Sequence, residues 1–295
     1  MRAATSRELR PWVLAARLKT LPAALVPVAV GTALAYRRGV GRPGLALGCA
    51  AFALLVQVAT NLANDLYDSQ RGADTPQRRG PLRVTAAGLV SPAAMRRALC
   101  AAMAAAVLVG LPVAFARGPE MVPLGALALW AGWAYTGGPY PFAYHGLGDL
   151  FVVLFFGVVA VAGTSYAETG RPDLAAALAG LGVGLLCDNL LVVNNARDVD
   201  TDRAVGKRTL AVRFGARFAR AQYALQAVSA FALPFALGGR VGLVTLAACP
   251  LALSAGARFL RAREGAEFNA ALGAAAAALL AYGLALSGAL LVPGA

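Results

Sequence analysis

Residues 174–202 read LAAALAGLGVGLLCDNLLVVNNARDVDTD. Up to Ala196 this stretch carries a single charged side chain, Asp188. At a rise of ~1.5 Å per residue, a helix over 174–196 is long enough to cross a hydrocarbon core about 30 Å thick. Arg197, Asp198, Asp200 and Asp202 follow at once, so the chain passes from an apolar span into an acidic end at a membrane face. That single transition sets the fold class as all-α and polytopic.

Working outward, apolar runs broken by Arg, Gly, Pro and Asp clusters predict spans at 20–36, 44–65, 95–116, 120–136, 147–166, 174–196, 217–238, 241–260 and 268–292. Nine membrane-embedded helices over 1–295 are read as one domain. The composition agrees, with 59% hydrophobic and 14% charged residues and a mean hydropathy of +0.65. A soluble chain would carry about 25% charged residues. Pro11, Arg17 and Lys19 interrupt any signal-peptide core, so the first apolar stretch is expected to be retained. Cys49, Cys100, Cys187 and Cys249 stand far apart in apolar surroundings and are read as packing residues.

The net charge of +13 is read first as topology, with no nucleic-acid partner. With a cytoplasmic N-terminus, the inner loops hold Arg2, Arg7, Arg10, Arg17 and Lys19, then Arg71, Arg78, Arg79, Arg83, Arg96 and Arg97. They also hold Arg197, Arg203, Lys207, Arg208, Arg213, Arg217 and Arg220, and finally Arg258, Arg261 and Arg263. Only Arg37, Arg38, Arg42, Arg117, Arg171 and Arg240 remain for the other side. The expected arrangement is N-terminus in and C-terminus out, in the cytoplasmic (inner) membrane of a bacterium.

Acids are scarce at 14, and six of them fall in two segments at the inner ends of spans two and six. The first segment, NLANDLYDSQRGAD at 61–74, contains Asn61, Asn64, Asp65, Asp68 and Asp74. The second, beginning NNARDVDTDRAVGK at 194–207, contains Asn194, Asn195, Asp198, Asp200 and Asp202. Asn64 and Asp68 repeat the Asn194 to Asp198 step, which suggests a duplicated half-site. The i, i+4, i+8 spacing of Asn194, Asp198 and Asp202 predicts one helical face. Oxygen donors with no His or Cys nearby suit Mg²⁺ better than zinc. Surrounded by Arg71, Arg78, Arg83, Arg203, Lys207 and Arg208, two such rows point to a metal-bridged diphosphate. All but two of the 27 basic residues are arginine, so Lys207 (with Lys19 the only lysines) is singled out.

At these residues the chain resembles the UbiA superfamily of membrane prenyltransferases, and within it the menaquinone branch. The similar stretches are RPWVLAARLKTLPAALVPVAVGTALA (10–35), NLANDLYDSQRGADTPQRRGPLRV (61–84), GLGDLFVVLFFG (146–157) and NNARDVDTDRAVGKRTLAVRFG (194–215). Gly72 stands where the wider superfamily has a third Asp, and the acid arrives at Asp74, as in the menaquinone branch. Leu66 and Tyr67 follow the Asn-Asp pair, where that branch usually has Tyr directly.

The resemblance implies Mg²⁺ held by Asn64, Asp68, Asp74, Asn194, Asp198 and Asp202, with Arg71, Arg203 and Lys207 on the diphosphate. It implies Asp68, Asp198, Asp202 and Lys207 as catalytic residues. Polyprenyl diphosphate would alkylate 1,4-dihydroxy-2-naphthoate at the carbon bearing the carboxylate, with loss of CO₂, to give demethylmenaquinone. The prenyl tail would lie in a groove open to the lipid bilayer.

Three further residues are candidates for the acceptor. Asp188, an acid inside a span, orients the acceptor, accepts a proton, or bonds a neighbouring helix. Asp149 either caps its helix or touches substrate. Tyr135, with Tyr140 and Tyr144, either stabilises a cation or anchors the interface. His145, the sole histidine, is read as a bystander. The rival readings are another acceptor (homogentisate, 4-hydroxybenzoate or a porphyrin-type alcohol) and a multi-span transporter. A transporter site belongs at mid-membrane, whereas these acids sit at one face.

Overall fold

The computed structural model describes residues 2–74 and 80–292, with side chains from Leu9 onward. Arg78 and Arg79 lie outside the described residues, as do the side chains of Arg2 and Arg7. Among the described residues there is no strand. The helices are α1 (Arg2–Ala16), α2 (Pro22–Arg37), α3 (Pro43–Gln70), α4 (Pro92–Arg117), α5 (Met121–Ala134) and α6 (Phe142–His145). They continue as α7 (Gly148–Thr169), α8 (Leu174–Arg197), α9 (Val199–Ala204), α10 (Leu210–Ala232), α11 (Gly239–Arg261) and α12 (Gly265–Leu291).

Six of these, α3, α4, α7, α8, α11 and α12, are long and apolar enough to cross a membrane. A seventh is counted if Leu9–Thr20 and Pro22–Arg37, which meet at a 48° bend, form one span. The other two predicted stretches map to helices of a different character. Helix α5 has 14 residues, about 21 Å of rise and short of a hydrocarbon core. Helix α10 carries Arg213, Arg217, Arg220, Gln222 and Gln226.

Packing follows from small residues. In the middle of α7 the segment Val153–Val159 is π-helical and lies directly on α8. A Cβ on Gly157 would sit 2.4 Å from the carbonyl oxygen of Gly180, and one on Gly184 would sit 2.4 Å from that of Val153. Backbone thus meets backbone, the way helices associate where lipid supplies no hydrophobic drive. Around this seam α2, α8 and α12 close a core of Val30, Leu34, Val183, Leu279 and Tyr282, with the Tyr282 hydroxyl donating to the Ala230 carbonyl at 2.8 Å. A second core, of Leu62, Leu66, Met95 and Leu99, joins α3 to α4. Side chains such as Phe115, Leu174 and Leu253 point outward, as a lipid-facing surface requires.

Candidate active site

Helix α3 brings Asn61, Asn64, Asp65 and Asp68 to one face by their three- and four-residue spacing. Its end is fixed by Gly72, whose φ of +69° is a left-handed turn that a side chain would resist. That turn lets Asp74 come back beside Arg83.

The four polar residues then divide. Asn61 donates to the Ala16 carbonyl at 2.9 Å and to the Thr20 hydroxyl at 3.0 Å, tying α3 to the bend after α1. Asp65 accepts from the backbone N–H groups of Val84 and Thr85 at 3.1 and 2.9 Å, so it pins the 80–91 loop. Asn64 accepts from the Thr136 hydroxyl at 2.8 Å. Asp68, 2% exposed, accepts from Arg83 at 3.1 Å and from the Tyr144 hydroxyl at 2.9 Å, and its Oδ1 lies 3.3 Å from Lys207 Nζ.

Lys207 belongs to the second segment, and its ammonium also lies 3.8 Å from Asp202 Oδ1. The two acidic segments therefore meet at Lys207. The helix predicted through 194–202 breaks at Asp198 (φ −100°, ψ 11°), which ends α8 and starts α9. The i to i−4 bonds from the Asp198 and Asp202 N–H groups persist at 3.1 and 2.8 Å, so Asn194, Asp198 and Asp202 still reach one cavity. Arg197 grips Asp198 with two bonds, at 2.8 and 2.7 Å, and donates a third to Asn269 at 2.7 Å.

The cavity, of about 410 Å³, is lined by Asn64, Asp68, Asp149, Asn194, Asp198 and Asp202, and by Arg17, Lys19, Arg83, Arg197 and Lys207. Both lysines of the chain are among these. Asp74 is held by Arg83 at 3.2 Å, behind the cavity wall. Among the described residues no three acidic, His or Cys side chains gather into an all-protein metal cage. Instead Asp68, Asp198 and Asp202 each face a cation.

Arg203 is not brought to the cavity. Its exposed side chain faces Asp200 on the outer side of α9, 100° around from Asp202. Arg71 donates to the carbonyls of Thr136 and Gly138 and lines a neighbouring cleft with Tyr140, Tyr144, His145, Arg208 and Arg213. Its guanidinium and the Lys207 ammonium stand 5.0 and 4.9 Å from the Tyr144 ring centroid. Tyr144 thus supports two cations. Burial, reinforced by the Asp68 charge, pushes its hydroxyl up from the usual phenol range and keeps it a donor to Asp68. His145 stacks on Tyr140 with centroids 3.6 Å apart, outside the cavity.

A second, apolar cavity of about 170 Å³ runs between α2, α3, α4, α5 and α7, lined by Phe52, Val56, Leu124, Phe151 and Phe155 among others. It shares Tyr135 with the polar cavity. Asp149 lines the polar side of that junction, and Gln222 donates to it at 2.7 Å. The N-cap position of its helix is held by Leu147, without a side-chain cap. Asp188 is fully buried against Gln222 and Gln226, off the cavity.

Residues 24–280 match the UbiA prenyltransferase family. The chain is 38% identical to 1,4-dihydroxy-2-naphthoate octaprenyltransferase of Mycobacterium tuberculosis, over 95% of this chain and 96% of that protein. It is also 38% identical to the enzyme of the same name from Escherichia coli K12, over 81% of this chain and 82% of that one. The fold is similar to the apo structure of a UbiA homolog from Aeropyrum pernix K1, with a TM-score of 0.70, 21% identity, and coverage of 91% and 98%. It is also similar to a UbiA homolog from Archaeoglobus fulgidus bound to GPP and Mg²⁺, with a TM-score of 0.63, 16% identity, and coverage of 94% and 99%.

Proposed function

The chain belongs to the UbiA prenyltransferase family, and from that premise we propose that it transfers a polyprenyl group to 1,4-dihydroxy-2-naphthoate. Diphosphate and CO₂ leave, and the product is the reduced (quinol) form of demethylmenaquinone. The observation that carries this reading is the position of Lys207, within ion-pair reach of Asp68 from one acidic segment and Asp202 from the other. A prenyl diphosphate has a charged head and an apolar tail. The polar cavity with five cations and the apolar cavity that meets it at Tyr135 match those two halves.

The donor set fits Mg²⁺. Asn64, Asp68, Asn194, Asp198 and Asp202 offer only oxygen, and no His or Cys lines the cavity. Mg²⁺ takes one or two carboxylates and completes its shell with water and phosphate oxygens, so an all-protein cage is not required. Asn64 and Asp68, with Asn194, Asp198 and Asp202, would hold it, while Asp74 stands behind them on Arg83. Held there, Mg²⁺ would supply charge neutralisation for the departing diphosphate.

The chain's own groups do the rest. Lys207 and Arg83 place positive charge beside Asp68, where the leaving group develops its own negative charge. Tyr144 keeps Asp68 aimed into the cavity. Tyr135 and Asp149 form the acceptor end, with Asp188 behind them on Gln222. Supplying the purified protein separately with dihydroxynaphthoate, homogentisate and 4-hydroxybenzoate, each with a polyprenyl diphosphate, tests the acceptor. Only the first is expected to be prenylated, and prenylation of homogentisate alone would reassign the substrate.

Nine spans in one domain, a cytoplasmic N-terminus and a site facing the cytoplasm complete the proposal, on the charge asymmetry of the loops. Gln77, in the first inner loop, lies outside the described residues, but Asp200 has a side chain 80% exposed. On a background lacking native cysteines, Asp200→Cys is expected to react with an impermeant thiol reagent only in inside-out vesicles. Labelling in intact cells would reverse the orientation.

A further inference from the structure

The bundle holds a second pair of carboxylates besides those of the acidic segments. Gln222 of α10 joins them, donating from Nε2 to Asp149 Oδ1 at 2.7 Å and to Asp188 Oδ2 at 3.3 Å. Gln226, one turn further along, donates to Asp188 Oδ2 at 2.6 Å. Neither carboxylate has a cationic partner among the described residues. Two ionised carboxylates sharing one amide in a low-dielectric interior repel strongly, so such a pair keeps a proton.

The unpaired atoms indicate where that proton resides. Asp188 Oδ1 and Gln226 Oε1 are both buried and both lack a partner. They belong to the same two side chains whose other atoms are already bonded at 2.6 Å. A carboxylic acid and a primary amide close a ring of two hydrogen bonds, in which the amide N–H meets one acid oxygen and the acid O–H meets the amide oxygen. One proton on Asp188 Oδ1 supplies the missing donor and satisfies both atoms. Asp149 is then left as the charged member. Of the four carboxylates lining the polar cavity, it alone faces no cation, and it lies at the Tyr135 junction. The carbon that joins an apolar tail to a diphosphate must sit at such a boundary.

We propose that Asp188 is a resident carboxylic acid, and that Asp149, positioned by Gln222, takes a hydroxyl proton from the aromatic acceptor and returns it. This rests on the transferase reading above. The ring carbon bearing the carboxylate forms the new bond to the prenyl carbon as the carbon–oxygen bond to diphosphate breaks, and that bond's electron pair leaves with the diphosphate. The neighbouring hydroxyl becomes a carbonyl and its proton passes to Asp149. The resulting β-keto acid loses CO₂, the electron pair of the broken carbon–carbon bond returns to the oxygen, and Asp149 gives the proton back. No oxidant, reductant or net proton is consumed. Asp149 is the catalytic residue here, and Asp188 and Gln222 are positioning residues.

Two readings of purified protein test this. In infrared difference spectra, wild type minus Asp188→Asn is expected to contain a protonated-carboxyl C=O band, and wild type minus Asp149→Asn is expected to lack it. The amide that Asp188→Asn introduces preserves the ring with Gln226, so that variant is expected to fold. Its failure to fold, or an absent band, would overturn the resident acid. In turnover with dihydroxynaphthoate and a polyprenyl diphosphate, Asp149→Asn is expected to lose on the order of 10²-fold in kcat. KM for the diphosphate should stay within about twofold, with partial rescue by Asp149→Glu. If wild type turns over and Asp149→Asn keeps kcat within threefold, the proton transfer is wrong. If wild type yields no prenylated product, the transferase reading fails instead, while the spectra still read the proton.

Discussion

Asp68→Asn is expected to lower kcat by on the order of 10²–10⁴ while leaving extractable, folded protein. The substitution keeps the shape of the side chain, so Tyr144 retains an acceptor, but it removes the charge that faces Arg83 and Lys207. Those two cations would then be left beside each other without their shared counter-ion, and the oxygen donor meant for Mg²⁺ is weakened. Asp198→Asn is expected to cost a similar factor, because Arg197 loses its bidentate partner in the same cavity. Arg203→Ala provides the control. Its side chain points away from the cavity toward Asp200, so steady-state assays should find kcat within about threefold of wild type. Near-normal turnover of Asp68→Asn and Asp198→Asn together would mean that the acidic segments do not carry the chemistry.

The largest effect on folding is expected at Gly184. Any Cβ there meets the carbonyl oxygen of Val153 at 2.4 Å and Gly157 Cα at 3.0 Å, and backbone cannot swing aside as a side chain can. Gly184→Leu must push α7 from α8 along the seam that positions both Asp149 and Asn194. Overpacking of this kind costs about 1–3 kcal/mol or more, and thermal melts in detergent should fall by roughly 5–10 °C. Gly273→Ala on α12 has nothing within 4 Å of its new methyl and should melt at or above wild type. Equal melting of the two variants would remove the glycine seam as the determinant of packing.

The apolar runs made the helices legible, because membrane thickness dictates both their length and their composition. The span count was less so. Helix α5 is too short by length alone, and α10 mixes arginines and glutamines with its apolar residues, so hydropathy does not fix how either crosses. The two acidic segments were legible as a pair because acids are so scarce in this chain. Their inner division of labour was not. Asp65 looks like its neighbours in sequence yet serves only the backbone of Val84 and Thr85, and Arg203 sits beside Asp202 yet faces the other way. A break of helix geometry at Asp198, which spacing alone does not reveal, precedes the short helix that carries Arg203. Arg17, Lys19 and Arg197 counted as topology signals alone, and the fold gathers them around the cavity beside Arg83, which the sequence already set next to the acidic rows. The scarcity of lysine singled out Lys207, which lines the cavity together with Lys19. Gln222 and Gln226 left no local trace at all, being 34 and 38 residues from the Asp188 that they hold.

The most direct measurement uses dihydroxynaphthoate isotopically labelled in its carboxylate. Purified protein is incubated with it and a polyprenyl diphosphate, with excess Mg²⁺ or with EDTA, and both the organic product and the released gas are followed by mass spectrometry. The account predicts a prenylated, decarboxylated product and labelled CO₂ in equal amounts with Mg²⁺, neither with EDTA, and both again when Mg²⁺ is restored. Full turnover in EDTA, or a prenylated product that retains the label, would contradict it.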